Sequence, residues 1–346
     1  MRHANVVAAG VLAAFGLAAG VCGFADKSAA DPLADFYRGK DVGVYIGYAP
    51  GGGYDLTART LARHMGRHLP GNPTLVPRNM PGAGSLMVAN WLYDVAPKDG
   101  TAFGTFGRTI PLDPLLGNKA ATFDALKFTW LGSPSDEVST CVAWHDSPVK
   151  KPDDLRRHTL VVGAAGPTSP SATFPKIFNA VLGTKIQVIS GYPSSANSLL
   201  AMEQGETAGF CAWGWVPMKA FCGDWLTDKK ITVLFQIALA KHKDYPDVPL
   251  VLEMAETDEQ RDVLKLVIAP QKFARPFAAP PNLPPDRASA LRQAFNATVR
   301  DAQFLVDADK QQLEIDLVTA EETERLLAEL YNTPPAIVAR AKDAME

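Results

Sequence analysis

Between Asp41 and Phe106 the chain twice passes from an apolar run through a glycine turn into an amphipathic segment, and this most constrains what it can fold into. In the first unit the apolar run Val42 to Tyr48 breaks at Ala49-Pro50-Gly51-Gly52-Gly53. Tyr54-Asp55 then opens a segment with Ala58, Leu61, Ala62, Met65 and Leu69 at helical spacing. In the second, Pro81-Gly82-Ala83-Gly84 precedes a helix with Met87, Val88, Trp91, Leu92 and Val95 on one face, followed by a strand at Ala102 to Phe106. A glycine loop between a strand's carboxyl end and a helix's amino end aims free N–H groups and the positive end of a helix dipole above the sheet. An anion is the natural occupant. Asp55 is expected as a helix N-cap, and Tyr54 either to project over the cleft or to pack on the surface.

The remaining chain repeats the theme. Strands are expected at Phe128 to Gly132 and Thr140 to Trp144. Leu160 to Gly163 runs into the loop "AAGPTSPS" and a helix with Phe174, Ile177, Phe178 and Val181 on one face. Gln187 to Ser190 ends in "GYPSSANS" and a helix through Gln204, and Ala208 to Ala212 ends in Trp213-Gly214-Trp215. Strands alternating with helices imply two mainly parallel sheets, each flanked by helices. The proline-dense stretch 268–287 is a connection, and the C-terminal helices, without strands of their own, pack back on the first unit. The expected architecture is α/β with two lobes: 26–139 plus 269–346, and 140–268. They are joined by a two-segment hinge near 133–140 and 268–277.

At 346 residues the chain has length for about two domains. Its net charge of −3 excludes nucleic acid as an expected partner. Arg2 and His3 before the apolar stretch Val6 to Val21, with Ala25 before Asp26, have the layout of a cleaved signal peptide over 1–25. An uncleaved anchor is the alternative. Cys22 lacks a lipobox, since Val21 stands where Gly or Ala is required. Cleavage leaves Cys141, Cys211 and Cys222. Export permits a disulfide, Cys211–Cys222 being the near pair, with packed free thiols the alternative. No Cys/His spacing indicates a metal site. His64 and His68, at i and i+4 on one helix, are expected as exposed histidines.

The blocks "YAPGGGYDLTAR", "RNMPGAGSLMVA" and "APKDGTA" resemble, in order and at matching spacing, the "PFxPGGxxDxxAR", "ENRPGAGGxxA" and "APPDGYT" blocks of the Bug family. These are the periplasmic solute-binding receptors of tripartite tricarboxylate transporters. "GYPSSANSLLAMEQGE" and "YPDVPLVLEM" resemble later family blocks more loosely. The resemblance implies two lobes closing on a small organic carboxylate, held largely by backbone N–H groups and hydroxyls. It also implies delivery to membrane permease subunits, a periplasmic location, a monomer, no cofactor and no catalysis. Carried over, the contacts are Ala49, Gly51, Gly52, Gly53 and Tyr54, then Gly82, Ala83, Gly84 and Ser85. In the second lobe they are Gly166, Thr168, Ser169 and Ser171, then Tyr192, Ser194 and Ser195. Arg108, in the loop after the third strand, is expected either to engage a second carboxylate or to form a surface or hinge salt bridge.

The chain departs from the pattern in two places. "GAAGPTSPSATFP" carries prolines and lacks the histidine of the family's second-lobe loop, leaving Thr168, Ser169 and Ser171 as hydroxyl donors. Ala212-Trp213 replaces an acidic position that serves ligand amines. An amino acid ligand is therefore not expected. Trp213 and Trp215, taken to lie beyond a strand end, suggest a ligand with an apolar or aromatic body; core packing is the alternative. An exported enzyme with an anion hole is the competing class. Against it, the sequence has no GxSxG, HExxH or P-loop lysine, and "GGGYD" lacks dinucleotide-loop spacing. A receptor acting on a sensor kinase is the third reading.

Overall fold

The computed structural model describes residues 31–164, 169–192 and 195–345. A short helix, α1 (Pro32–Tyr37), leads into β1 (Asp41–Ile46), whose Val42, Val44 and Ile46 are fully buried. α2 (Gly53–Met65) turns Ala58, Leu61, Ala62 and Met65 inward, as its spacing predicts, and leads to β2 (Thr74–Asn79). α3 (Leu86–Asp94) returns the chain to β3 (Ala102–Thr105). Its buried face is Leu86, Val88, Ala89 and Leu92, while Val95 and Met87, expected inside, are exposed. The Met87 side chain lies instead against Gly82.

After β4 (Thr129–Ser133) the chain crosses to β5 (Ser139–Trp144). There follow β6 (Leu160–Ala164), α4 (Pro170–Leu182), β7 (Ile186–Ser190), α5 (Ser195–Glu203), β8 (Gly209–Gly214), α6 (Trp215–Thr227), β9 (Ile231–Ile237) and α7 (Asp258–Ile268). The chain then returns to β10 (Phe277–Ala279), α8 (Pro285–Val299), α9 (Ala302–Lys310), β11 (Val318–Thr319), α10 (Ala320–Tyr331) and α11 (Pro335–Met345).

Two sheets result. The first runs β11-β4-β10-β3-β1-β2 and the second β7-β6-β8-β5-β9. β1 pairs parallel with β2 and β3, and β6 pairs parallel with β7 and β8. The sheets are mixed rather than mainly parallel, and the reason is the crossing itself. β10 pairs antiparallel with β3 and β4, and β5 pairs antiparallel with β8 and β9. A strand arriving from the other lobe has no covering helix of its own to reverse it, so it enters against the direction of its neighbour. Each sheet therefore has the same plan, a parallel β-α-β-α-β unit extended by the strand that crosses over. In the first unit the order reverses between β1 and β3, the switch point where the loops splay apart and leave a crevice.

The two crossing segments are bonded to each other. The Glu137 N–H donates to Gln271 O (2.9 Å), the Ala274 N–H to Ser135 O (3.1 Å), and the Arg275 N–H to Ser133 Oγ (3.1 Å). Both bonded segments fall within 133–140 and 268–277. The last helix does not follow the expectation that residues 269–346 return together. α10 packs on β4, but α11 packs on α4 and α7, with Ala341 and Ala344 buried in the second core. The small, regularly spaced alanines of α11 allow close approach to two helices, an apolar face that the second lobe supplies. Among the described residues no helix is long and apolar enough to cross a membrane.

Candidate functional site at the interlobe cavity

The loop after β1 is closed by its own side chains. Gly51 adopts φ +91°, a conformation costly for a residue with a Cβ, and Gly52 is the N-cap of α2. Asp55 is not the cap. It stands in the first turn, 2% exposed, and accepts from the Gly51 N–H (2.8 Å), Asn79 Nδ2 (2.8 Å) and Arg59 Nε (2.9 Å). Burial works to raise its carboxyl, but the hydrogen bonds from Arg59, Asn79 and Gly51 outweigh it and hold the group below the usual range. Asn79 Nδ2 also donates to Tyr48 O (2.9 Å), tying the end of β2 to the end of β1. The Gly51 N–H is therefore spent inside the loop. The first-turn N–H groups of α2 have no intrahelical partner.

The second loop carries consecutive left-handed residues: Ala83 (φ 46°), Gly84 (φ 63°) and Ser85 (φ 80°). For Ala83 and Ser85 this costs on the order of 1 kcal/mol each. Ser85, expected as a ligand contact, is 1% exposed and accepts from the Gly107 N–H at 2.7 Å, so it joins the second loop to the third. Tyr54 completes the join. Its hydroxyl donates to Ala274 O (3.0 Å) and accepts from the Arg108 N–H (3.1 Å), and its ring stacks on Tyr48 at 4.4 Å. Burial, then the neighbouring Tyr54, pushes the Tyr48 hydroxyl up to about 12.

These loops face a cavity of about 730 Å³ between the lobes. Tyr48, Tyr54, Ala83, Gly84 and Arg108 line the first-lobe side, α4 and α7 the other, with Glu137 and Arg275 from the hinge. Arg108 Nη1 lies 2.9 Å from Glu137 Oε2, so its charge is taken by the hinge and is not presented to a ligand's second carboxylate. Arg275 Nη1 stands 3.9 Å from the same carboxylate, beyond hydrogen-bond reach. Burial would raise Glu137, but the charges of Arg108 and Arg275 and the hydrogen bonds from Arg108 and Ser139 outweigh it and hold the carboxyl low. Burial opposes charge on Arg108 as well, and Glu137 overcomes it.

Of the expected contacts, Tyr54, Ala83, Gly84 and Arg108 line this cavity. Ala49, Gly51, Gly52 and Gly53 are exposed and do not line it; Gly53 lines a smaller hollow shared with Arg275. Gly82 lies against Met87. Gly166, Thr168 and Ser194 fall outside the described residues. Ser169 caps α4 and lies 3.0 Å from Ser171 through their hydroxyls, next to Pro170 and Thr173, which do line the cavity. Ser195 begins α5 on the surface, and Tyr192 turns its hydroxyl toward Glu206 (3.4 Å).

Trp213 and Trp215 are not in the cavity. They are 4% and 3% exposed, Trp213 against Phe210 and Trp225, and Trp215 against Tyr245. β8 runs on to Gly214, two residues past the expected end. A bulge at Ala212 (φ 63°) shifts the register against β5 and puts Trp213 on the face of Phe210 rather than that of Cys211.

The near-pair disulfide is also corrected. Cys141 and Cys211 stand opposite each other on β5 and β8 and form the bond, while Cys222 is a buried free thiol. His64, in α2, and His68, in the tight turn after it rather than on the same helix, are partly buried rather than exposed, at 3.0 Å from Asp307 and 3.1 Å from Asp301, and fasten this end of α2 to the α9 segment. Among the described residues no group of three or more His, Cys, Asp or Glu could hold a metal ion.

Sequence reasoning missed Tyr48, Glu137, Arg275 and the α4–α7 wall. Arg275 and Glu137 both sit in the segments recognised as hinge. A charged residue in a hinge that crosses beside a cleft was the available signal.

No protein-family model matches the sequence, and no curated protein sequence matches it. Solved structures do. A TctC solute-binding protein from Polaromonas superposes with a TM-score of 0.67 at 17% identity, covering 88% of this chain and 99% of the other. The periplasmic binding protein BugD gives 0.60 at 18% identity, covering 89% and 98%. MatC from Rhodopseudomonas palustris, with bound malate, gives 0.58 at 17% identity, covering 89% and 99%. The sheet order, the doubled hinge and these likenesses agree that the chain has the two-lobed fold of the TctC and Bug solute-binding proteins.

Proposed function

We propose that this chain is an extracytoplasmic solute-binding receptor that captures a small organic carboxylate between its lobes and hands it to the permease subunits of a tripartite tricarboxylate transporter. The observation that carries the reading is the convergence of the loops after β1, β2 and β3, with Arg275, on one cavity across a two-segment hinge. Open α/β sheets bind ligands at such a crevice, and helix starts and guanidinium groups suit a carboxylate. MatC, of the same fold, holds malate. The lobes are residues 26–139 with the return from 269 through α10, and 140–268 with α11 added. Residues 1–25 are a signal peptide, the mature chain is periplasmic and monomeric, and it performs no chemistry on its ligand.

A thermal-shift screen of about a hundred organic acids, with calorimetry on the hits, tests this. A ligand for the folded state raises the melting temperature by mass action. Carboxylates should dominate the hits. Hits confined to sugars, nucleotides or amines would refute the reading. N-terminal sequencing of exported protein should begin between about Asp26 and Asp31, and an intact Met1 species found only in membranes would refute the cleavage.

A further inference from the structure

The interlobe cavity is charged at one end and apolar along the rest. Its apolar wall comprises Leu112, Leu116, Phe174, Ile177, Val267 and Met345. Leu112, Phe174 and Ile177 are at most 6% exposed and belong to the second core, and the other three pack against that core. The wall is therefore the finished surface of a hydrophobic core, interrupted only by the hydroxyls of Thr109 and Thr173, the latter donating to Ser169 O.

The charged groups lining the cavity are Arg108, Glu137, Arg275 and Asp113. Arg108 and Glu137 neutralise each other at 2.9 Å. Arg275 is different. Its Nε is buried with no hydrogen-bond partner among the described residues, Nη1 bonds only Ser135 Oγ, at 3.4 Å, and the carboxylates of Glu137 (3.9 Å) and Glu314 act on it without a hydrogen bond. Its guanidinium lies 5.9 Å from the centre of the Tyr54 ring and against Gly53, where α2 begins. One cation with unused donors thus stands beside the helix start. Asp113 is held by Asn118 Nδ2 at 2.8 Å, next to Leu112 and Leu116 in the wall. Along the wall a second carboxylate on a ligand would meet apolar carbon, the Asp113 carboxylate and the hydroxyls of Thr109 and Thr173, but, among the described residues, no cation free of a carboxylate partner. Burying it there without a compensating charge is unfavourable.

We infer that the site takes an amphipathic monocarboxylate, with its head on Arg275 beside the first turn of α2 and its apolar body along the wall from Leu112 to Met345. This rests on the reading of the cavity as a carboxylate site and narrows it. Short polar di- and tricarboxylates are poor ligands.

The test is calorimetry on the mature full-length chain with octanoate and 3-phenylpropanoate against octanedioate, malate and citrate. Octanoate should bind at least about tenfold more tightly than octanedioate, which has the same length and one more charge. Arg275→Gln should weaken octanoate about tenfold or more, with Arg275→Lys recovering part of the loss. Val267→Thr and Met345→Gln, close in shape and at partly exposed positions, should weaken it several-fold at unchanged melting temperature. Octanedioate or malate binding as tightly as octanoate would overturn the inference and leave the carboxylate receptor standing. Octanoate binding unaffected by Arg275→Gln would overturn it as well. Absence of binding by any acid would remove the receptor reading itself, and the inference with it.

Discussion

Replacing Glu137 by Gln separates the two roles that the hinge carboxylate combines. At 2.9 Å and an effective dielectric constant of about 20, its attraction to Arg108 is about 6 kcal/mol before desolvation. Removing one partner of a fully buried pair typically costs about 3–5 kcal/mol, because the other charge is left uncompensated. The side chains here are 14% and 20% exposed, and glutamine still accepts a hydrogen bond, so a loss of about 2–4 kcal/mol is expected. In a chain of this size that lowers the melting temperature by about 3–6 °C. The same change releases Arg108 into the cavity. A dicarboxylate then gains a charge-assisted bond worth about 1.5–3 kcal/mol, or about one to two decades in affinity. The variant should be less stable alone, bind octanedioate more tightly than the wild type does, and recover its melting temperature when octanedioate is added. The pH dependence has a definite sign. The folded carboxyl lies below its ordinary value of 4.5, so its contribution is present above that value and lost as pH falls through the folded one. Wild type and variant should therefore converge in acid. Equal melting temperatures at pH 7 together with unchanged dicarboxylate affinity would refute the assignment of Glu137 as Arg108's internal counter-ion.

Other outcomes are equally specific. Burial, then repulsion from Asp136, Glu137 and Asp316, raises the Glu314 carboxyl from 4.5 to about 7. Its neutral form favours folding, so stability present below pH 4.5 is lost as pH rises through 7. The loss is at most about 3 kcal/mol, or about 3–5 °C, and a melting profile of Glu314→Gln that falls as steeply as wild type would contradict this. Gly52 has φ −82°, which suits a proline ring. Gly52→Pro should keep the fold but remove one donor at the helix start, weakening carboxylate binding by about one to two decades, and calorimetry on the folded variant decides it. The mature, unreduced protein should show one thiol, Cys222, reactive only after unfolding. Two or three reactive thiols under denaturing, non-reducing conditions would rule out the Cys141–Cys211 bond.

What the sequence determined by itself is local. Glycine turns after apolar runs, and apolar residues at helical spacing, located β1, β6, α4 and the start of α2 to within a residue or two, while α2 ends at Met65, four residues short of Leu69. Proline density marked the stretch that carries the chain back to the first sheet. Chemistry near in sequence was also legible, as in Tyr54, Ala83 and Gly84 coming to one cavity wall. Three things were decided only by tertiary structure. The first is strand direction: β5 and β10 enter antiparallel because they arrive from the other lobe, and no periodicity within a strand records where the chain came from. The second is side-chain face, since one bulged residue, Ala212, carried Trp213 from the expected cleft into the core. A period-2 pattern does not reveal a local change of register. The third is the pairing of charge. Arg108 and Glu137 lie on different strand ends, and Arg275 returns to them from 138 residues further along. Which cation hydrogen-bonds the hinge carboxylate and which stands beyond bonding reach follows from distances of 2.9 and 3.9 Å, a difference set by how the two hinge segments pack and by nothing adjacent in the chain.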